Sequence, residues 1–465
     1  MKKTILFIIS VFFSLHGISQ QIEGSWHGLL KVQGMELHLV FNISQDEDGL
    51  KATMDSPDQG AHGIAVDATA FKDGILTMAI PMAAINYTGT LSGDTITGTF
   101  AQAGMEIPLN LTREVPEKTA VVRPQEPQKP YPYHAEEVFF KNPEADITLA
   151  GTLTLPREQG TFPAVVMITG SGPQNRDEEI LGHKPFLVIA DHLTRHGIAV
   201  LRFDDRGVAQ SEGDFSSATS YDFATDVEAA VAYLLARDEI DPAKIGLIGH
   251  SEGGIIAPIV AARNTEKVNF IVLLAGTGIR GDKLLLEQQL LIGKAMGMGE
   301  EEMNKNQLIN RQIFELVLKN EEKETLESNI RALMQEALAD TDEQMLGGMP
   351  IEQFIDQQTS LVTSPWMSTF LRLDPAVYLE KVRCPVLAVN GSNDLQVPPS
   401  NLQAIETSLH RGGNTKVTLK EFPGLNHLFQ ECDTGSPTNY AAIEQTFAPE
   451  VLEKLSSWIN AVTTR

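Results

Sequence analysis

Between Gln21 and about Arg113 the chain alternates polar and apolar residues in short runs, as in Leu37-His38-Leu39-Val40-Phe41-Asn42-Ile43, Ile75-Leu76-Thr77-Met78-Ala79-Ile80 and Thr95-Ile96-Thr97-Gly98-Thr99-Phe100. A period of two predicts strands with one face on a core and the other in water. Asp48-Gly49, Lys72-Asp73-Gly74 and Ser92-Gly93-Asp94 supply turns between them. About eight such strands predict a small antiparallel β-barrel or sandwich over residues 20–113. From Glu114 to His134 the alternation stops and prolines recur at 116, 124, 127, 130 and 132, which predicts an extended linker.

After residue 135 the pattern changes to continuous apolar runs. Ile245-Gly246-Leu247-Ile248, Phe270-Ile271-Val272-Leu273-Leu274 and Pro385-Val386-Leu387-Ala388-Val389 read as strands buried on both faces, the signature of a parallel sheet. Lys416 to Phe422 alternates like a further strand. Between residues 280 and 372 strand signals nearly vanish. Leu284-Leu285-Leu286, Leu290-Leu291 and Ile313-Phe314 with Leu316-Val317-Leu318 fall instead at helical spacing in an acidic background.

Candidate chemistry sits at the ends of the apolar runs. Gly249-His250-Ser251-Glu252-Gly253 follows one strand and precedes Gly254-Ile255-Ile256-Ala257, so it reads as strand, sharp turn, helix. Such a turn lifts Ser251 clear of its surroundings, and the flanking glycines keep side chains out where strand and helix nearly touch. Asp394 lies in the loop after the strand ending at Asn390, and His427 in the loop after the strand ending at Phe422. Strand ends on one edge of a parallel sheet lie close in space, so serine, acid and histidine can meet there in the chain order this arrangement requires. Taken singly, a helix-capping serine, a turn-forming aspartate and a solvated loop histidine are ordinary; in this order, each behind a strand, they form a candidate triad.

With Thr169-Gly170-Ser171-Gly172-Pro173, Asp204-Asp205-Arg206-Gly207 and Asn390-Gly391-Ser392-Asn393-Asp394, these motifs make residues 135–465 resemble the α/β-hydrolase superfamily, in its bacterial esterase and serine-aminopeptidase-like branch. The resemblance implies Ser251 as nucleophile, His427 as base and Asp394 as the acid that orients it, with no cofactor or metal. It implies an oxyanion hole from the backbone N–H of Glu252 and that of Ser171, with Gly172 in reserve. Many relatives have histidine where Thr169 stands, so a different hydrogen bond is expected to shape that loop. Asp204-Asp205-Arg206-Gly207 is expected to form a structural turn. The helical stretch 280–372 is expected to be a cap, with Met296, Met298 and Trp366 as candidate substrate contacts, together with Met345 and Met349.

Composition narrows the setting. Lys2-Lys3 followed by the apolar run Ile5–Phe13 and the small residues Gly17 and Ser19 read as a secretory leader over residues 1–19, which predicts an exported, periplasmic or extracellular protein. The run is short for a membrane span that stays, and no cysteine follows it to carry a lipid anchor. A formal charge of −25 repels phosphate backbones, so nucleic acid is excluded as a partner and stable membrane insertion is not expected. Cys384 and Cys432 are the two cysteines, and with scattered histidines they present no metal-ligand spacing. The expected substrate is a small carboxylic ester. An aminopeptidase, an acyl thioesterase, and a glycan- or lipid-binding protein with an inert hydrolase unit stand as alternatives. Oligomeric state is not legible.

Overall fold

The computed structural model describes residues 22–464 apart from 33–34, 48, 58–60, 84, 103–104, 118–122, 320–321, 340 and 342–348. The secretory leader and Met345 therefore lie outside the described residues. The chain divides into two compact units, one of residues 1–120 with 341–354, the other of 121–340 with 355–465.

The first unit holds a ten-stranded sheet in which every pairing is antiparallel. Its edge strands, Ala61–Val66 and Ala68–Lys72, are consecutive in the chain and separated only by Asp67. One residue bridges at most a few ångströms, so the two edges must lie side by side and the sheet curls into a nearly closed barrel. Trp26, Phe41, Tyr87 and Phe100 fill its interior. The alternation that predicted about eight strands resolves into ten, because the stretch around residues 61–72 pairs as well.

In the second unit the strands are β1 (His134–Asn142), β2 (Ile147–Leu155), β3 (Phe162–Ile168), β4 (Ala199–Phe203), β5 (Ile240–His250), β6 (Phe270–Leu274), β7 (Val386–Gly391) and β8 (Val417–Phe422). They form one sheet in the order β1-β2-β4-β3-β5-β6-β7-β8. The first three in that order pair antiparallel and the rest parallel. β5 sits centrally, and both its faces are buried, which is why Ile245–Ile248 reads as an unbroken apolar run. Helices α1 (Pro185–Arg195) and, at the C-terminus, Pro449–Thr463 share a core with one face of the sheet. Ser220–Leu235 (α2), Gly253–Arg263 (α3) and Ser400–Arg411 cover the other. Between β6 and β7 the chain forms α4 (Gly281–Ala295), α5 (Glu300–Leu318), α6 (Lys323–Ala337), α7 (Ile351–Val362) and α8 (Pro365–Arg372), the helical insertion expected there. This is the α/β-hydrolase fold with a helical cap, preceded by an antiparallel β-unit.

The proline-rich stretch is not a free linker where it is described. The Arg123 guanidinium donates to the carbonyls of Gly182, Ile443 and, at 2.8 Å, Ala441. The Gln125 amide donates to the Phe447 carbonyl and accepts from the N–H groups of Thr446 and Phe447. Loop carbonyls that would otherwise be buried without donors capture these side chains, so the segment is docked onto loops of the hydrolase unit. Cys384 and Cys432 are both free thiols.

Candidate active site

Ser251 stands at the junction of β5 and α3 with φ of 52°, a left-handed conformation that costs a non-glycine residue and persists only where its surroundings enforce it. The enforcement is visible in the glycines around it. A Cβ on Gly249 would lie 2.0 Å from the carbonyl oxygen of Gly253, and a Cβ on Gly253 would lie 2.3 Å from that of Ile168. Backbone thus meets backbone at this turn. The Ser251 N–H is held by the Leu274 carbonyl at 2.9 Å.

Asp394 and His427 come together as expected, with Asp394 Oδ2 2.8 Å from His427 Nδ1. The other carboxylate oxygen, Oδ1, accepts the N–H groups of Gln396 and Val397 at 2.8 and 2.9 Å, which fixes the acid in its loop. Asn426 builds the histidine loop, its Oδ1 accepting from the N–H groups of Leu428 and Gln430. The two loops press together so closely that a Cβ on Gly391 would sit 2.2 Å from the Leu425 carbonyl oxygen. Asp394 and His427 are both buried. The Ser251 hydroxyl makes no hydrogen bond among the described residues, His427 included.

The backbone N–H groups of Ser171, Gly172 and Glu252 likewise have no acceptor among the described residues. Their loop is shaped by two acids. Thr169 Oγ1 donates to Asp205 Oδ1 at 2.8 Å and the Gln174 N–H to Asp205 Oδ2 at 3.0 Å. The hydrogen bond that shapes this loop at Thr169 is therefore one from hydroxyl to carboxylate. Burial pushes the Asp205 carboxyl up to about 8, against the pull of those two hydrogen bonds. Arg206 binds Asp226 and Asp204 binds Arg176, so the charged Asp204–Gly207 run is structural, as expected.

A second buried pair was not foreseen from the sequence. Glu178 Oε1 accepts the Gly170 N–H at 2.7 Å and lies 2.9 Å from His250 Nδ1, while His250 Nε2 lies 3.1 Å from the His427 carbonyl oxygen. Both ring nitrogens face acceptors, and only an imidazolium donates from both. Burial alone would lower the His250 pKa, but the charge and hydrogen bond of Glu178 outweigh it and hold the value above the usual histidine range. The pair joins the oxyanion loop, the nucleophile turn and the histidine loop. Glu178 lies in a loop with no motif of its own, so no local signal pointed to it.

A cavity of about 60 Å³ opens at Ser251, lined by Ser171 and Glu252 from the sheet edge and by Leu284, Leu285, Trp366 and Phe370 from the cap. Glu252 is buried, its carboxylate accepting from Ser220 Oγ at 2.6 Å and from Trp366 Nε1 at 2.9 Å. Burial raises its pKa, and its partners are neutral. Trp366, a candidate substrate contact, thus lines this cavity. Met296 and Met298 do not: they lie just beyond the far end of α4, exposed, with the sulfur of Met298 taking a hydrogen bond from Asn306 of α5. Only the first turns of α4 reach the cavity, and a helix rises 1.5 Å per residue, so its last turn is carried well away. Met349 is also absent from the lining.

Residues 146–420 match the family model of the X-Pro dipeptidyl-peptidases (S15 family). Over 288 residues the chain is 28% identical to the esterase EstD of Thermotoga maritima, covering 61% of this chain and 60% of that protein. Among solved structures it is similar to a Pyrococcus furiosus esterase (TM-score 0.43, 15% identity, 75% of this chain and 99% of that one). Est1E from Butyrivibrio proteoclasticus with ferulic acid bound is also similar (TM-score 0.41, 16% identity, 70% of this chain and 100% of that one).

Proposed function

We propose, from the premise that this chain belongs to the X-Pro dipeptidyl-peptidase (S15) family, that it is an exported serine hydrolase of carboxylic esters with short acyl groups. The observation that carries the reading is the hydrogen bond from His427 Nδ1 to a buried, doubly anchored Asp394 at the same sheet edge as the strained Ser251. In this reading His427 Nε2, which has no hydrogen-bond partner among the described residues, takes the Ser251 proton as Oγ attacks the acyl carbon. The N–H groups of Glu252 and of Ser171 or Gly172 hold the developing oxyanion. His427 returns the proton to the leaving alcohol, and water then releases the acid through the same sequence. Asp394 keeps the imidazole in the tautomer that leaves Nε2 free to accept. A cavity of 60 Å³ admits an acyl group of a few carbons. Export rests on the leader pattern at the N-terminus, and no described helix is long and apolar enough to cross a membrane.

One observation favours a second reading, release of an N-terminal residue or dipeptide. The Glu252 carboxylate lines the cavity with only neutral donors, a place where a substrate ammonium would complete an ion pair. Purified protein assayed on nitrophenyl acetate, butyrate and octanoate and on aminoacyl and X-Pro nitroanilides, with Ser251→Ala as blank, tests both readings. Ester turnover falling with chain length supports the first. Nitroanilide turnover exceeding ester turnover overturns it in favour of the second.

A further inference from the structure

The rear of the hydrolase sheet carries a cluster that the reaction does not use. His192 lies in the last turn of α1, His196 caps that helix, and Glu453 projects from the C-terminal helix (α9 here, Pro449–Thr463). One ligand atom from each lies within 4.8 Å of the other two. The histidines are four apart on one helix, a spacing that stacks side chains on the same face, and their rings lie 4.1 Å apart, 28° from parallel.

We propose that His192, His196 and Glu453 bind a divalent zinc-like cation that clamps α9 onto α1. The argument is the state of the ring nitrogens. His196 Nδ1 donates to the His192 carbonyl at 2.7 Å, which fixes the tautomer and leaves Nε2 with an unshared lone pair. His192 Nε2 is engaged by Ser456 Oγ at 3.0 Å, one turn beyond Glu453. Each ring thus has a nitrogen tied to the protein, the arrangement in which an outer hydrogen bond orients a metal-bound imidazole. Two imidazoles and a carboxylate suit zinc, cobalt or nickel, with water completing the shell.

Ligand atoms 4.8 Å apart must draw in by about 1 Å to bond zinc at 2.0–2.1 Å, a change that side-chain torsions supply. The helix backbones need not move, since Leu193, Leu452, Leu455 and Ile459 already share one core beneath the cluster. The clamp would act at a distance from the chemistry yet on the same scaffold. Ala448, which precedes α9, donates its N–H to the Phe429 carbonyl in the loop that carries His427. The histidine spacing alone did not reveal the site, because its third ligand arrives from the other end of the hydrolase unit.

The test uses the full chain freed of metal with EDTA and titrated with zinc chloride by calorimetry, beside His196→Ala and Glu453→Gln, both at exposed positions. We expect one saturable equivalent in the wild type, weakened at least about tenfold in each variant. Zinc should raise the thermal midpoint of the wild type and leave that of both variants unchanged, and cobalt should give a visible absorption band only in the wild type. No saturable binding in the wild type, or equal binding in wild type and both variants, overturns the proposal. Esterase activity is not the readout, so failure of the clamp and failure of the proposed function remain distinguishable.

Discussion

The nucleophile turn and the cap face each other across one small cavity, yet they are built in opposite ways. At the turn Gly249 and Gly253, and between the acid and histidine loops Gly391, each lie where a single added carbon would collide with main chain, and the polar groups are buried and mutually bonded. In the cap, α4 to α8 give only Leu284 and Phe370 to the buried core of the sheet, and Leu290, Leu308 and Leu361 are exposed. Backbone packed on backbone has no alternative arrangement, whereas surface helices meeting through side chains can shift without breaking the sheet. In the proposed mechanism the chemistry belongs to the rigid side and substrate choice to the adaptable side. Glu252 connects the two, since the proposed mechanism gives its N–H to the oxyanion while its carboxylate accepts from Trp366 of the cap.

That division can be broken most sharply at the nucleophile. Ser251→Ala is expected to reduce kcat on the order of 10⁶-fold with the thermal midpoint unchanged. More than a few per cent residual turnover would remove the serine from the chemistry. Asp394→Asn should cost roughly 10⁴ in kcat, again with little change in stability, because the amide oxygen still accepts the Gln396 and Val397 N–H groups while the wrong histidine tautomer is favoured. A loss confined to KM would contradict this.

Glu178→Gln probes whether the rigid side is held by charge. The raised His250 pKa means that this pair contributes stability in full below about 6.5, the value in the unfolded chain, and loses it as pH rises through the higher folded value. Removing the carboxylate should destabilise the hydrolase unit by about 3 kcal/mol and shift the alkaline fall of activity to lower pH. Denaturant melts and pH–rate profiles of both proteins would show it. An unchanged alkaline limb would mean that the imidazolium is not part of the active form.

On the adaptable side the effects should be smaller and selective. Trp366→Phe keeps the ring stacked on Phe370 but removes the donor to Glu252. The ratio of kcat/KM between acetyl and octanoyl esters should change by about tenfold, near 1.4 kcal/mol, with the acetyl kcat nearly intact. A uniform loss across chain lengths would place Trp366 with the chemistry instead. Smallest of all, replacing Met296 and Met298 together by alanine should leave the chain-length profile unchanged, since both lie outside the cavity. A changed profile would show that the cap rearranges far more than this comparison allows.

The sequence by itself determined the elements and the placing of the candidate triad at one sheet edge, because both are written locally. A buried parallel strand needs an unbroken apolar run, a strand-to-helix turn without room for side chains needs glycines, and an acid and a histidine behind two further strands must arrive at the same sheet edge. The helical insertion after β6 was legible from its period for the same reason. Tertiary structure alone decided which residues meet from distant loops. It paired Glu178 with His250, gave Thr169 a carboxylate partner in Asp205, tied Arg123 to carbonyls near the C-terminus, and turned Met296 and Met298 away from the cavity that Trp366 lines. Those outcomes depend on the direction in which each helix and loop leaves the sheet. Periodicity fixes which face of an element is buried but not what that face meets, so partners brought together by burial and by hydrogen bonds between loops leave no trace in local spacing.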